Sequence, residues 1–152
     1  MTLHFEDVEV GTTYEVGEYA VTESEIIAFA EQFDPQPFHT DPEAATESMF
    51  GELVASGLHT LCLSVRLFVT EFVGGHGLDN MGGLGMDDLR WHAPVTPGDT
   101  LSLSIEVAEK RPSESRDDRG YVTFDRWVFA ERDGEREEVL SVRSHNVVGR
   151  RD

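Results

Sequence analysis

The chain is nearly without lysine. Lys110 is the single one, and the other eleven of its twelve basic residues are arginine. Against them stand 30 Asp and Glu, giving a formal net charge of -18. Phosphate-backbone binding needs a basic face, so nucleic acid is not an expected partner. The lone cysteine, Cys62, excludes an internal disulfide. In its apolar surroundings it is expected to be a small core residue rather than a nucleophile. No long apolar run stands out, so no transmembrane helix and no membrane partner are expected. Residues 1–10 are acidic and lack the basic and then apolar pattern of a secretory signal, so a cytoplasmic location is expected. The histidines outside the central segment, His4, His76, His92 and His145, have no close metal-ligand spacing, so no metal is assigned.

What remains is sufficient for a core. The 152 residues are 39% apolar, which fits one domain over residues 1–152. An acidic, lysine-poor but foldable chain resembles the cytosolic proteins of salt-accumulating halophiles. Concentrated salt would screen its self-repulsion, with a Debye length of about 3 Å at 1 M. An ordinary acidic domain is the plainer alternative.

The pattern divides into an N-terminal layer, a central helix and a run of strands. Residues 14–21 can form a strand. Thr22 then opens a helix, with Glu25 at the capping-box spacing and Ile26, Ile27, Phe29, Ala30 and Phe33 on its apolar side. Asp34-Pro35 stops it, because proline restricts the residue before it. Residues 34–41 read as a loop. Asp41-Pro42 is a cap followed by a proline at the first helical position, and a short helix should follow. Leu58, Leu61, Cys62, Val65, Phe68, Val69 and Phe72 keep helical spacing, with Gly57 at the start and Gly74-Gly75 as the stop. With Leu63, Leu67 and Val73 off the stripe, this helix is expected to be buried on most sides.

After Gly82 the pattern changes to strands. Leu101, Leu103, Ile105 and Val107 alternate with polar residues, and 121–129 and 139–148 are further β-like runs. Pro97-Gly98-Asp99 and Asp133-Gly134 supply turns, 111–120 reads as an exposed connection, and Asp87-Asp88 as a solvated turn. Closely spaced strands and one buried helix predict an α+β fold, an antiparallel sheet wrapped around a central helix.

Two features carry chemistry. Asp34 and His39 are five residues apart in a segment stiffened by Pro35 and Pro37, and across a turn they can converge. A carboxylate beside an imidazole is an acid/base arrangement that can hold a water. The bland reading of the same spacing is a turn cap and a packed loop histidine. Second, Ala55-Ser56-Gly57-Leu58 opens the long helix. The first amides of a helix lack internal partners and its dipole favours negative charge there, so the Gly57 amide can bind a carbonyl oxygen that gains charge. A plain tight turn explains the glycine equally well. His59 reads as a satisfied interior group, and Asp41 as a cap. Arg66, Arg90, Lys110 and Arg111 are candidates for contacting the phosphates of a ligand, with solvated arginine as the plainer reading.

At these residues the chain resembles a known family. Asp34-Pro-Gln-Pro-Phe-His39-Thr-Asp41-Pro42, then Phe50-Gly51 and Val54-Ala-Ser-Gly57, is similar to the hydratase motif of MaoC-like dehydratases, which include the (R)-specific enoyl-CoA hydratases. Leu89-Arg90-Trp91 and Pro94-Val95-x-Pro97-Gly98-Asp99 resemble its later part. The resemblance spans residues 14–148 and implies a hot-dog fold, a homodimer or dimer-based oligomer, and no cofactor. It implies a coenzyme A or acyl carrier protein thioester as substrate. Asp34 and His39 would hold water and Gly57 would polarise the thioester carbonyl, with Ser56, Gln36, Phe38 and Arg90 as substrate-binding candidates. The implied reaction is reversible addition of water to a trans-2-enoyl thioester. A hot-dog acyl-CoA thioesterase and a non-catalytic acyl-CoA-binding module are the alternatives. Gln36 and Ser56 stand where the family usually has asparagine and often histidine, which leaves the substrate class open.

Overall fold

Leu101, Leu103, Ile105 and Val107 are fully buried, while Ser102, Ser104 and Glu106 between them are half-exposed. That period of two puts one face of a strand on a core and the other in solvent. In the computed structural model, which describes residues 1–151, the strand is β3 (Thr100–Pro112). It is joined by β1 (Thr13–Ala20), β2 (Asn80–Trp91), β4 (Arg119–Arg132) and β5 (Glu135–Gly149) in one antiparallel sheet of order β1-β3-β4-β5-β2. The β4–β5 hairpin closes on Asp133 and Gly134, both at positive φ (53° and 80°), the conformation a two-residue turn requires.

Three helices precede the central one: α1 (Glu23–Phe33), α2 (Pro37–Thr40) and α3 (Pro42–Thr46). The central helix α4 (Gly57–Leu67) runs on without a break through a π-helical turn, Phe68–Val73, into α5 (Gly74–His76). Its inward side chains Leu63, Leu67, Phe68 and Phe72 are buried against the sheet. Phe68 and Phe72 each meet Phe124 of β4, with ring centroids 5.5 and 5.6 Å apart. Edge-to-face pairs of this kind add to the area they bury.

Several expectations are corrected. The helix does not stop at Gly74-Gly75. It ends at Gly77, whose φ of 74° is the left-handed conformation that terminates a helix. The run Gly57–His76 is long and apolar enough to cross a membrane by length and composition alone, although its inner side here is the core of the sheet. It is not covered on most sides: Leu58, Val65 and Val69 are exposed, and Cys62 is exposed rather than in the core. Residues 37–40 form a helical turn rather than open loop. Asp87 and Asp88 lie within β2, where a break in register with β5 and a φ of 56° at Asp88 mark a bulge. The exposed connection shrinks to 114–118, because β3 and β4 extend into it and Ser113 is buried.

Candidate active site

The site begins at the end of α1. Thr22 caps that helix reciprocally with Glu25, and the helix closes at Phe33. Asp34 then leaves helical geometry (φ -154°, ψ 68°) ahead of Pro35. Pro37 opens α2, whose single turn carries His39 inward, where it is buried. Asp41 caps α3, with Oδ1 accepting from the amides of Glu43 and Ala44.

His39 Nδ1 lies 2.7 Å from the carbonyl oxygen of Val54. A carbonyl only accepts, so Nδ1 carries the hydrogen and donates it. In the neutral ring Nε2 is then the acceptor, and it faces Asp34 Oδ2 at 3.4 Å. Two acceptors at that distance call for a shared hydrogen, from a water or from a protonated ring. Asp34 is also held by two further donors. Its Oδ1 accepts from Gln36 Nε2 and its Oδ2 from Ser56 Oγ, each at 2.7 Å. These two bonds, Gln36 first, with the nearby His39 adding to them, hold the carboxyl below the usual carboxylate range, so it is anionic at neutral pH.

Ser56 is completely buried and joins the dyad to the central helix. It is the N-cap of α4, and its Oγ accepts from the amide of Leu58 while donating to Asp34. Its carbonyl accepts from the amide of His59. Of the first three amides of α4, that of Gly57 is thus left without a partner in the chain, at the positive end of the helix dipole. Trp91, at the end of β2, donates its indole N–H to the Gly57 carbonyl at 2.7 Å. A Cβ on residue 57 would stand 2.5 Å from that indole ring, so only glycine fits.

A cavity of about 420 Å³ opens onto these groups, and Asp34, Phe38, His39, Ser56 and Gly57 all line it. Gln36 is exposed and lies outside the lining, reaching the site only through Asp34. Arg90 is also exposed and outside the lining, with its guanidinium turned to the carbonyl of Leu89. Arg66, Lys110 and Arg111 lie over the rings of Tyr19, Phe5 and Tyr121. His59 is buried and stacked on Phe29, but Nδ1 lacks a partner, contrary to the expectation of a satisfied group. Among the described residues no cluster of three or more His, Cys, Asp or Glu is placed to hold a metal. Sequence reasoning missed the Val54 carbonyl, a backbone acceptor with no signature in residue identity. It took Trp91 only as part of a motif, with no hint of its bond to Gly57.

A family model described as MaoC like domain matches residues 6–128. The chain belongs to that family. Among solved structures, this MaoC-like domain is similar to the MaoC-like dehydratase from Rhodospirillum rubrum. The TM-score is 0.84 at 39% identity, with 99% of each chain covered. The sheet around one central helix is therefore the hot-dog fold of its MaoC-like neighbours. Among curated relatives, it is 34% identical over 115 residues to the 3-hydroxybutyryl-CoA dehydratase of Methylorubrum extorquens, covering 75% of this chain and 69% of that protein. It is 41% identical over 131 residues to the mesaconyl-CoA hydratase of Haloarcula marismortui, covering 81% of this chain and 34% of that longer protein.

Proposed function

We propose that this domain catalyses the reversible syn addition of water to a trans-2-enoyl thioester. The observation that carries the proposal is the joint placement, on one largely apolar cavity, of an anionic Asp34, the Nε2 of His39 at 3.4 Å from it, and the first amide of α4. The names of the two curated relatives, a dehydratase and a hydratase of acyl-CoA substrates, support it.

In this mechanism a water sits between Asp34 Oδ2 and His39 Nε2, satisfying both acceptors. The thioester carbonyl docks on the Gly57 amide, which draws electron density from C3 and stabilises the enolate that forms at C2. Asp34 takes a proton from the water as its oxygen adds to C3. His39, locked by Val54 in one tautomer, orients the water. The proton returns to C2 from the pair, so the enzyme ends as it began. A second copy is part of this proposal: it covers the exposed Leu58, Val65 and Val69 of α4 and the β2 edge, where Met81, Leu84 and Met86 are exposed.

The test is hydration of crotonyl-CoA by the intact protein in concentrated KCl. Asp34→Ala and His39→Ala are each expected to lower kcat/KM by about 10²- to 10⁴-fold with the fold retained by circular dichroism. Full activity in both variants would refute the pair. Release of free coenzyme A from a saturated acyl-CoA would favour a thioesterase, since a hydratase has no reaction with a saturated chain.

A further inference from the structure

The Gly57 amide has to meet a single oxygen atom, yet it belongs to the residue type with the freest backbone. Glycine is imposed there, because the indole of Trp91 leaves no room for a Cβ. A misplacement of about 1 Å can cost about 10²-fold in rate, so that freedom has to be taken up by other contacts.

Gly57 is held on both sides. The Ser56 carbonyl accepts from the amides of His59 and Thr60 at 2.9 and 3.2 Å, which fixes the peptide that carries the Gly57 N–H. The next peptide is gripped at both ends. Its N–H, on Leu58, donates to Ser56 Oγ at 3.2 Å, and its carbonyl, on Gly57, accepts the indole N–H at 2.7 Å. The other three bonds are local to the helix start. The indole bond comes from 34 residues away. Trp91 is in turn placed by the sheet. It is the last residue of β2, it pairs with Leu140 of β5, and the amide after it, of His92, donates to the Val139 carbonyl. The indole therefore ties the backbone of Gly57 to the strand ladder. The same side chain lines the cavity together with Asp34, His39 and Gly57.

We propose that Trp91 is a positioning residue: its indole N–H pins the Gly57 carbonyl, so that the amide of the same residue stays aimed at the thioester oxygen as charge develops there. This rests on the hydratase reading above. The donor, rather than the bulk of the ring, carries the effect, and the effect falls on the transition state.

Two substitutions in the intact protein separate donor from bulk. Trp91→Phe keeps a six-membered ring and removes the N–H. Trp91→His loses the outer ring and keeps a donor, because imidazole Nε2 takes the place of indole Nε1 in the five-membered ring. Trp91 is 49% exposed, so neither change is expected to endanger the fold, and thermal melts check this. With crotonyl-CoA, Trp91→Phe should lower kcat and kcat/KM by the same factor, about 10- to 100-fold, as for an interaction made only in the transition state. Trp91→His should be the more active of the two. The second readout is the infrared carbonyl band of bound crotonyl-CoA, ¹³C-labelled at C1, in the Asp34→Ala background. The band should lie below that of the free thioester, and adding Trp91→Phe should return part of the shift, which loss of packing alone would not do. Full kcat in Trp91→Phe, a Trp91→His less active than Trp91→Phe, or a shift that Trp91→Phe leaves in place would each overturn the proposal while the hydratase reading stands. A band unshifted in Asp34→Ala itself would overturn the role of the Gly57 amide, and this proposal with it.

Discussion

Replacing Ser56 by alanine separates the two tasks of one hydroxyl. Ser56 Oγ donates to Asp34 and accepts from the Leu58 amide, so Ser56→Ala removes a helix cap and a charge-assisted hydrogen bond together. The cap contributes about 1 kcal/mol. A hydrogen bond to a charged group contributes about 1.5–3 kcal/mol, toward the low end here because the Asp34 carboxylate keeps some contact with water. Together they give a loss of about 2–3 kcal/mol, or a Tm lowered by roughly 5–10 °C for a domain of this size. The carboxylate also loses one of its two main holders, so its pKa moves up toward the ordinary value. The acid limb of the pH dependence of kcat/KM should shift to higher pH. The sign of the stability effect follows from linkage. Asp34 has a depressed pKa when folded, so its contribution is present above the unfolded value of about 3.9 and fades as pH falls through the folded one. The deficit of the variant should thus be largest near neutrality and narrow in acid. Urea unfolding at both pH values and hydration rates across the acid range measure this. A variant with an unchanged midpoint and an unchanged acid limb would show that Ser56 does not hold Asp34.

Two other side chains give outcomes remote from the chemistry. Asp99 is completely buried, accepts from Thr96 through its backbone and hydroxyl, and takes a two-pronged grip from Arg132 at 2.7 Å on each oxygen. Asp99→Ala is expected to cost about 3 kcal/mol, the low end for breaking a buried pair, because the Arg132 head can regain water; urea unfolding reads it directly. His59 is held neutral by burial, which lowers its pKa. Its unfolded form binds a proton near pH 6.5, so stability should fall as pH drops below that value. His59→Phe, which keeps the stack on Phe29, should flatten that slope in thermal melts.

What could be read in the residues was mostly local. The Thr22–Glu25 box, the Asp41-Pro42 start of α3 and the Asp133-Gly134 hairpin each depend on groups within a few residues, and each stands as expected. β2 was not legible, because Gly82, Gly83 and Gly85 are poor strand formers and their pairing comes from β5, some sixty residues away. Gly74-Gly75 looked like a stop, yet both keep helical geometry and the left-handed residue comes at Gly77. The spacing of Asp34 and His39 allowed their convergence without requiring it, and the motif resemblance was what favoured the pair that now stands 3.4 Å apart. The tautomer did not, because the Val54 carbonyl that fixes it is fifteen residues on. Asp99 read as a turn residue because its partner, Arg132, lies on another strand. The buried Arg126 was missed, although the alternation of Val122, Phe124 and Val128 already puts residue 126 in the inward row of its strand.

The indole of Trp91 also makes the cavity visible to light. It borders that cavity, is about half exposed, and is tied to the Gly57 carbonyl at the point where a ligand would dock. The chain has one other tryptophan, Trp127, which lies apart from the cavity lining. Whatever fills the cavity strips water from Trp91 while Trp127 supplies a constant background. The intrinsic emission of the unlabelled protein should therefore move to shorter wavelength as the site is occupied, reporting binding by a variant such as Asp34→Ala that no longer turns over.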